Sequence, residues 1–235
     1  MFGTIINAVA ILLGGGIGLL LKGGIPEKIK RMVSNAIGLA VIFAGASGAI
    51  GKMILPEANP ILFIVSLVLG GVAGELLGIE EKTEHLGTLL QNKIHTKKEQ
   101  GNLSAGFVAA TLLFCVGTMS VLGPLESGLR ADHSILYVKS MLDGVTSLIM
   151  ASSLGIGVLF SAASVLVYQG AIALLANWIS PLLTGDVLRE LSIVGGMLIT
   201  GIGLNMLGIT KLKIGNFFPA MLVPVLWYGI VTLVG

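Results

Sequence analysis

Residues 2–21 read FGTIINAVAILLGGGIGLLL, twenty residues without a charge. At 1.5 Å per residue, a helix of that length is about 30 Å long, the thickness of a bilayer's hydrocarbon core. A secretory signal peptide opens with positive charge and has a shorter apolar stretch. Here the first charge is Lys22, so the segment predicts a retained first transmembrane helix with its N-terminus outside.

The rest of the chain has the same character. Its 235 residues are 54% hydrophobic and 11% charged, with a mean hydropathy of +0.98. A soluble domain is about 25% charged, so this chain lacks the polar surface that solubility in water needs, and lipid is its expected surrounding. The net charge is +2, and no basic patch interleaves with aromatics, which argues against a nucleic-acid partner. Cys115 is the single cysteine and forms no intrachain disulfide.

Further spans are expected at Met32–Gly51, Pro60–Ile79, Leu103–Gly123, Leu191–Ile209 and Ile214–Val234. The stretch Tyr137–Ile179 is too long for one helix. It divides at Leu154-Gly155-Ile156-Gly157 into Ile135–Leu154 and Ile156–Trp178. Lys139 and Asp143 lie in the first half of Ile135–Leu154, so this fifth segment is expected to be short or re-entrant. The fold class is therefore an all-α polytopic bundle of about eight transmembrane helices in one domain, 1–235. Lys and Arg concentrate in cytoplasmic loops. With both termini outside, ten of them (Lys22, Lys28, Lys30, Arg31, Lys82, Lys93, Lys97, Lys98, Lys211, Lys213) face inward and four (Lys52, Arg130, Lys139, Arg189) outward. A non-crossing fifth segment gives nine against five, so eight crossings are preferred. The charged loop 80–102 is then cytoplasmic. Its Leu86, Leu89, Leu90 and Ile94 fit either a surface amphipathic helix or an extended solvated hairpin.

Two segments share a pattern: LGGGIGLLL at 13–21 and LGGVAGELL at 69–77. Gly45 and Gly51 likewise answer Gly117 and Gly123. This reads as a two-helix repeat, 2–51 and 60–123, with a weaker third unit at 156–209. Inverted repeats underlie many transporters; Gly-rich apolar helices also resemble one another through composition alone. Gly14, Gly18, Gly70, Gly74, Gly45 and Gly117 are expected at helix contacts, where small residues let backbones approach.

Ionisable groups inside a membrane are costly and are functional candidates by default. Asp143 is one, as a cation or proton site or an anchor for a polar solute; its structural alternative is an ion pair with Lys139, one turn earlier. Glu75 is the other, with an interfacial carboxylate as the alternative. Asn7, Ser47, Thr118 and Ser120 fall at a depth similar to that of Asp143 and line an expected outward polar cavity. Gln169 and Asn205 are further candidate solute- or ion-binding residues; singly, each such group is more often an interhelical hydrogen bond. His85, His95 and His133 have no metal-ligand spacing. No catalytic constellation, nucleotide loop or cofactor motif is present, so neither an enzyme nor a metal or cofactor site is expected.

The runs Phe114-Cys115-Val116-Gly117-Thr118-Met119-Ser120-Val121-Leu122-Gly123-Pro124, Lys139–Gly144, Gly155–Ser161 and Tyr168-Gln169-Gly170 resemble the YdfK/YqgA-like family, the domain of unknown function 554. The resemblance covers nearly the whole chain and implies a small bacterial inner-membrane protein. It carries over no functional residues. Function is therefore expected from the physical reading: a small-solute or ion transporter with a polar site near Asp143. The alternative is a non-transporting scaffold or regulatory subunit acting through loop 80–102. Expected partners are the bilayer, an unidentified small solute or ion, and further copies of the chain.

Overall fold

The computed structural model describes residues 1–22, 27–82, 103–116, 118–181 and 183–234. Among them the helices are α1 (Phe2–Lys22), α2 (Glu27–Met53), α3 (Pro60–Leu77), α4 (Leu103–Val116), α5 (Thr118–Arg130), α6 (Ser134–Leu154), α7 (Gly157–Leu174), the single turn α8 (Ala176–Ile179), α9 (Gly185–Met206) and α10 (Leu222–Val234). A 3-10 segment, Ile214–Met221, leads directly into α10. Most of loop 80–102, together with Gly117 and the Thr118 side chain, lies outside the described residues.

Local chemistry sets the ends. The Asn59 side chain accepts from the backbone N–H groups of Ile61 and Leu62, both at 3.1 Å, and Pro60 opens α3. An Asn cap followed by Pro at the first helical position suits a helix start, where backbone N–H groups lack partners. Gly78 closes α3 in the left-handed conformation at φ 59°, which glycine adopts without a Cβ penalty. Gly155, at φ 81°, ends α6 inside the expected break.

Seven helical segments are long and apolar enough to cross a bilayer, and the bent pair α4–α5 makes an eighth if it counts as one span. The two halves meet at a 57° bend. Relative helix directions resolve the count. Gly3 abuts Leu136 and His133, Gly14 abuts Gly144, and Gly18 abuts Leu148, so α1 and α6 run parallel. Parallel spans need an odd number of crossings between them. With α2 and α3 supplying two, the bent pair supplies the third. It also runs alongside α7: Gly157 meets Leu103 near the start of α4, and Gly128 meets Ala173 near the end of α5. The fifth expected segment is thus a continuous helix of 21 residues, and the discontinuity falls one span earlier. The Lys139–Asp143 pair explains the difference: two opposite charges one turn apart are accommodated without breaking the helix.

Glycine sets the closest approaches. A methyl group at Gly14 would strike the Gly144 carbonyl, and one at Gly18 the Leu148 carbonyl. The aligned Gly70 and Gly74 meet Ala220 and Asn216 of the 3-10 segment in the same way. Gly45 and Gly196 face each other across α2 and α9, and Gly38 lies opposite Gly203, so these two helices are antiparallel. Without a hydrophobic drive between helices in lipid, this close backbone packing is what holds them.

Contacts sort the spans into two groups, α1 with α4–α8, and α2 and α3 with α9, the 3-10 segment and α10; the main contacts between groups are α9 on α4 and α2 on α6. Ile11, Leu112, Phe114, Met150, Val158 and Val165 from the first group and Ile37, Val41, Leu198 and Ile202 from the second form a shared apolar core. The outer faces are apolar as well: Leu20 and Leu76 are each 83% exposed. A surface of this kind is stable against lipid, not water.

Candidate functional site

The close packing of α1 on α6 brings Asn7 to the first charged pair. Ser147 strengthens the approach by donating to the Ile11 carbonyl at 3.1 Å. Lys139 and Asp143, one turn apart on α6, form an ion pair, with side chains only 6% and 10% exposed. Asn7 Nδ2 donates to Asp143 Oδ2 at 2.9 Å and to Gln169 Oε1 of α7 at 3.3 Å. The Lys139 ammonium lies 5.9 Å from the centre of the Phe114 ring, in the last turn of α4. Four helices therefore meet at one buried pair. By helical rise, Asn7, Lys139 and Gln169 sit about 8 Å, and Asp143 about 14 Å, in from the helix ends on the N-terminal face.

The hydrogen-bond chain has one self-consistent polarity. A carboxylate only accepts, so Asn7 presents one amide N–H to Asp143 and its second N–H to the Gln169 carbonyl. This leaves Asn7 Oδ1 as a free acceptor and Gln169 Nε2 as a free donor, each buried without a hydrogen-bond partner. Thr4 Oγ1, one turn above Asn7, and Thr111 Oγ1 on α4 are in the same state. An unpaired buried polar atom costs about 1–3 kcal/mol, and two of them, Asn7 Oδ1 and Gln169 Nε2, belong to residues hydrogen-bonded into the cluster.

The remaining sequence candidates lie elsewhere. Ser47 is exposed on the outer face of α2. Ser120 donates to the Phe114 carbonyl at 2.6 Å and so spans the α4–α5 bend. Asn205 ties down its own loop through Leu212 and Thr210. Glu75 accepts from Asn216 Nδ2 at 2.5 Å and Lys213 Nζ at 3.0 Å. Asn216 in turn accepts from the Glu80 N–H at 2.7 Å, and Glu80 from the Gly215 N–H at 2.9 Å. This clamps the end of α3 to the 3-10 segment, and its hydrogen bond to Glu75 holds Lys213 above the usual lysine range.

Sequence reasoning missed a second buried acid. Arg189 was expected in an outer loop; α9 begins earlier, at Gly185, and buries it. Its neighbour Glu190 is 0% exposed and accepts from the Asn59 N–H at 3.1 Å and from Arg189 Nε at 3.4 Å, while Asp186 takes Arg189 at 2.7 Å. Glu190 Oε2 has no partner. The signal available was Asp186, Arg189 and Glu190 at helical spacing behind Thr184, a capping residue.

Fold and site define a polytopic helical membrane protein with an ion pair buried between its spans. The family model described as "Protein of unknown function (DUF554)" matches residues 2–229, and the chain belongs to that family. It is 39% identical over 224 residues to "Uncharacterized membrane protein YdfK" of Bacillus subtilis (strain 168), covering 95% of this chain and 94% of the relative. It is 33% identical over 225 residues to "Uncharacterized protein YqgA" of Escherichia coli (strain K12), covering 94% of each. No solved structure matches the chain.

Proposed function

We propose that the protein is a small-solute or ion transporter of the bacterial plasma membrane, with its site at Asn7, Lys139, Asp143 and Gln169. The carrying observation is the buried Lys139–Asp143 pair flanked by the unpartnered Asn7 Oδ1 and Gln169 Nε2. Charges within a span are expensive and mark substrate or ion pathways more often than structural ballast. The low exposure of both side chains makes the conformation occluded, so access requires motion. The cluster lies between α1, α4, α6 and α7, so the motion is a separation among these spans.

The two-helix repeat is part of this proposal, supported by the close backbone approaches made both at Gly14 and Gly18 and at the aligned Gly70 and Gly74. So is the outside placement of both termini, supported by the ten-to-four distribution of Lys and Arg. The helical spans of this chain, together with its bacterial relatives, support the plasma membrane, because proteins of the outer membrane are β-barrels. We assign no catalytic role.

The test is reconstitution into liposomes and measurement of solute entry by light scattering across a panel of small polar solutes and salts. Wild-type protein should accelerate entry of at least one, and Asp143→Asn should abolish the acceleration. Rates equal to those of empty liposomes for every solute and salt would remove the transporter reading.

A further inference from the structure

The charges and spare hydrogen-bonding atoms of the cluster are specific enough to select a ligand class. Lys139 contributes one positive charge and Asp143 one negative, and the pair is buried. The groups facing it from neighbouring helices are uncharged: Asn7 from α1, Phe114 and Cys115 from α4, and Gln169 and, through Cys115, Tyr168 from α7. The site therefore sums to zero. A cation or an anion entering it alone leaves an uncompensated charge in a low-dielectric interior, where such a charge is most costly. A solute carrying both charges leaves the sum at zero throughout.

The uncharged partners divide the same way. An entering ammonium needs acceptors. Asp143 Oδ2 already receives Lys139 and Asn7, and Asn7 Oδ1, on the residue bonded to Asp143, is buried and free. An entering carboxylate needs donors: the Lys139 ammonium, and Gln169 Nε2, which is buried and free. We propose that the solute taken at this cluster is a small zwitterion, with an ammonium and a carboxylate on one molecule as in an α-amino acid. It separates Lys139 from Asp143 and gives each an opposite charge in exchange. The ammonium is held by Asp143 and Asn7, the carboxylate by Lys139 and Gln169. In the empty site the two side chains neutralise each other. This inference rests on the transporter reading and names its substrate class.

The test is the melting temperature of the purified full-length protein in detergent, measured with each of the twenty proteinogenic amino acids and betaine. The controls are ethylammonium, acetate and the uncharged acetamide. A ligand at a hundred times its Kd should raise the melting temperature by about 5 °C or more. At least one zwitterion is expected to do so with wild-type protein, and none of the controls. Where the single variants fold, the charge left behind should set their preference: Asp143→Asn gains stabilisation by acetate, Lys139→Met by ethylammonium, and both lose the zwitterion response. The wild-type panel stands alone if neither variant folds. Stabilisation of wild-type protein by a control and by no zwitterion overturns the substrate class and leaves the site standing. A zwitterion that stabilises Asp143→Asn as well as wild-type protein binds elsewhere and overturns the assignment. If no solute stabilises wild-type protein and no variant gains an ion response, the pair is a sealed structural element, and the transporter reading falls with the proposal.

Discussion

The buried pair makes a quantitative demand that holds whatever the solute. Replacing Asp143 by Leu leaves the Lys139 ammonium without its counter-ion among Phe114, Asn7 and Gln169; replacing Lys139 by Met leaves the carboxylate. Removing one partner of a buried pair costs about 3–5 kcal/mol, because the other charge stays behind. Removing both takes the charge away altogether. The double variant then loses mainly the Asn7 hydrogen bond of 2.9 Å to Asp143, and an orphaned amide costs about 1–3 kcal/mol. The double variant should therefore be at least as stable as either single one, with a coupling of about 3 kcal/mol or more. At about 2–4 °C per kcal/mol for a chain of this size, the single variants melt about 6–20 °C below wild type. The assay is the loss of the monodisperse species in detergent on heating. The reasoning is refuted if the double variant loses the sum of the two single losses, or if each single variant melts within about 2 °C of wild type.

Two further outcomes test the packing around the site. Gly18→Val should cost about 1–3 kcal/mol, since its side chain meets the Leu148 carbonyl of α6. Gly16→Ala enters open space on the same helix and should stay within about 0.5 kcal/mol of wild type in the same melting assay. At the second acid, Glu190→Leu removes the acceptor for the Asn59 N–H and for Arg189 and should cost about 3–5 kcal/mol. Glu190→Gln keeps an acceptor oxygen and should lose less; equal losses from the two would mean that this acceptor does not anchor α3.

Length and apolarity made the spans legible, because a bilayer imposes one dimension on every crossing element. The break at Gly155 was legible for the same reason: the apolar run was too long for one helix. The bend between α4 and α5 was not. Residues 103–123 are continuously apolar, and nothing in their composition distinguishes a straight helix from two halves joined at an angle. Site residues divided by how local their signal was. Asp143 stands out as a lone acid in an apolar run, and Lys139 pairs with it by helical spacing alone. That Asn7 and Gln169 join them, while Ser47 faces outward, depends on which face of each helix packs. Glycine spacing marked those faces without naming their partners. Gly14 and Gly18 bind α1 to α6, four spans later, rather than to the α2 that follows it in sequence. Glu190 escaped notice because its helix starts before the apolar stretch that marked the span.

The central claim is that the Asn7–Asp143 cluster, occluded in this conformation, opens to water. Asn7→Cys in a Cys115→Ala background tests it in intact cells with a small, membrane-impermeant thiol reagent. The account predicts that the thiol is modified from the outside and that Ile11→Cys, one turn deeper in the apolar core, is not. Modification of neither position, with both proteins folded in the membrane, would contradict it.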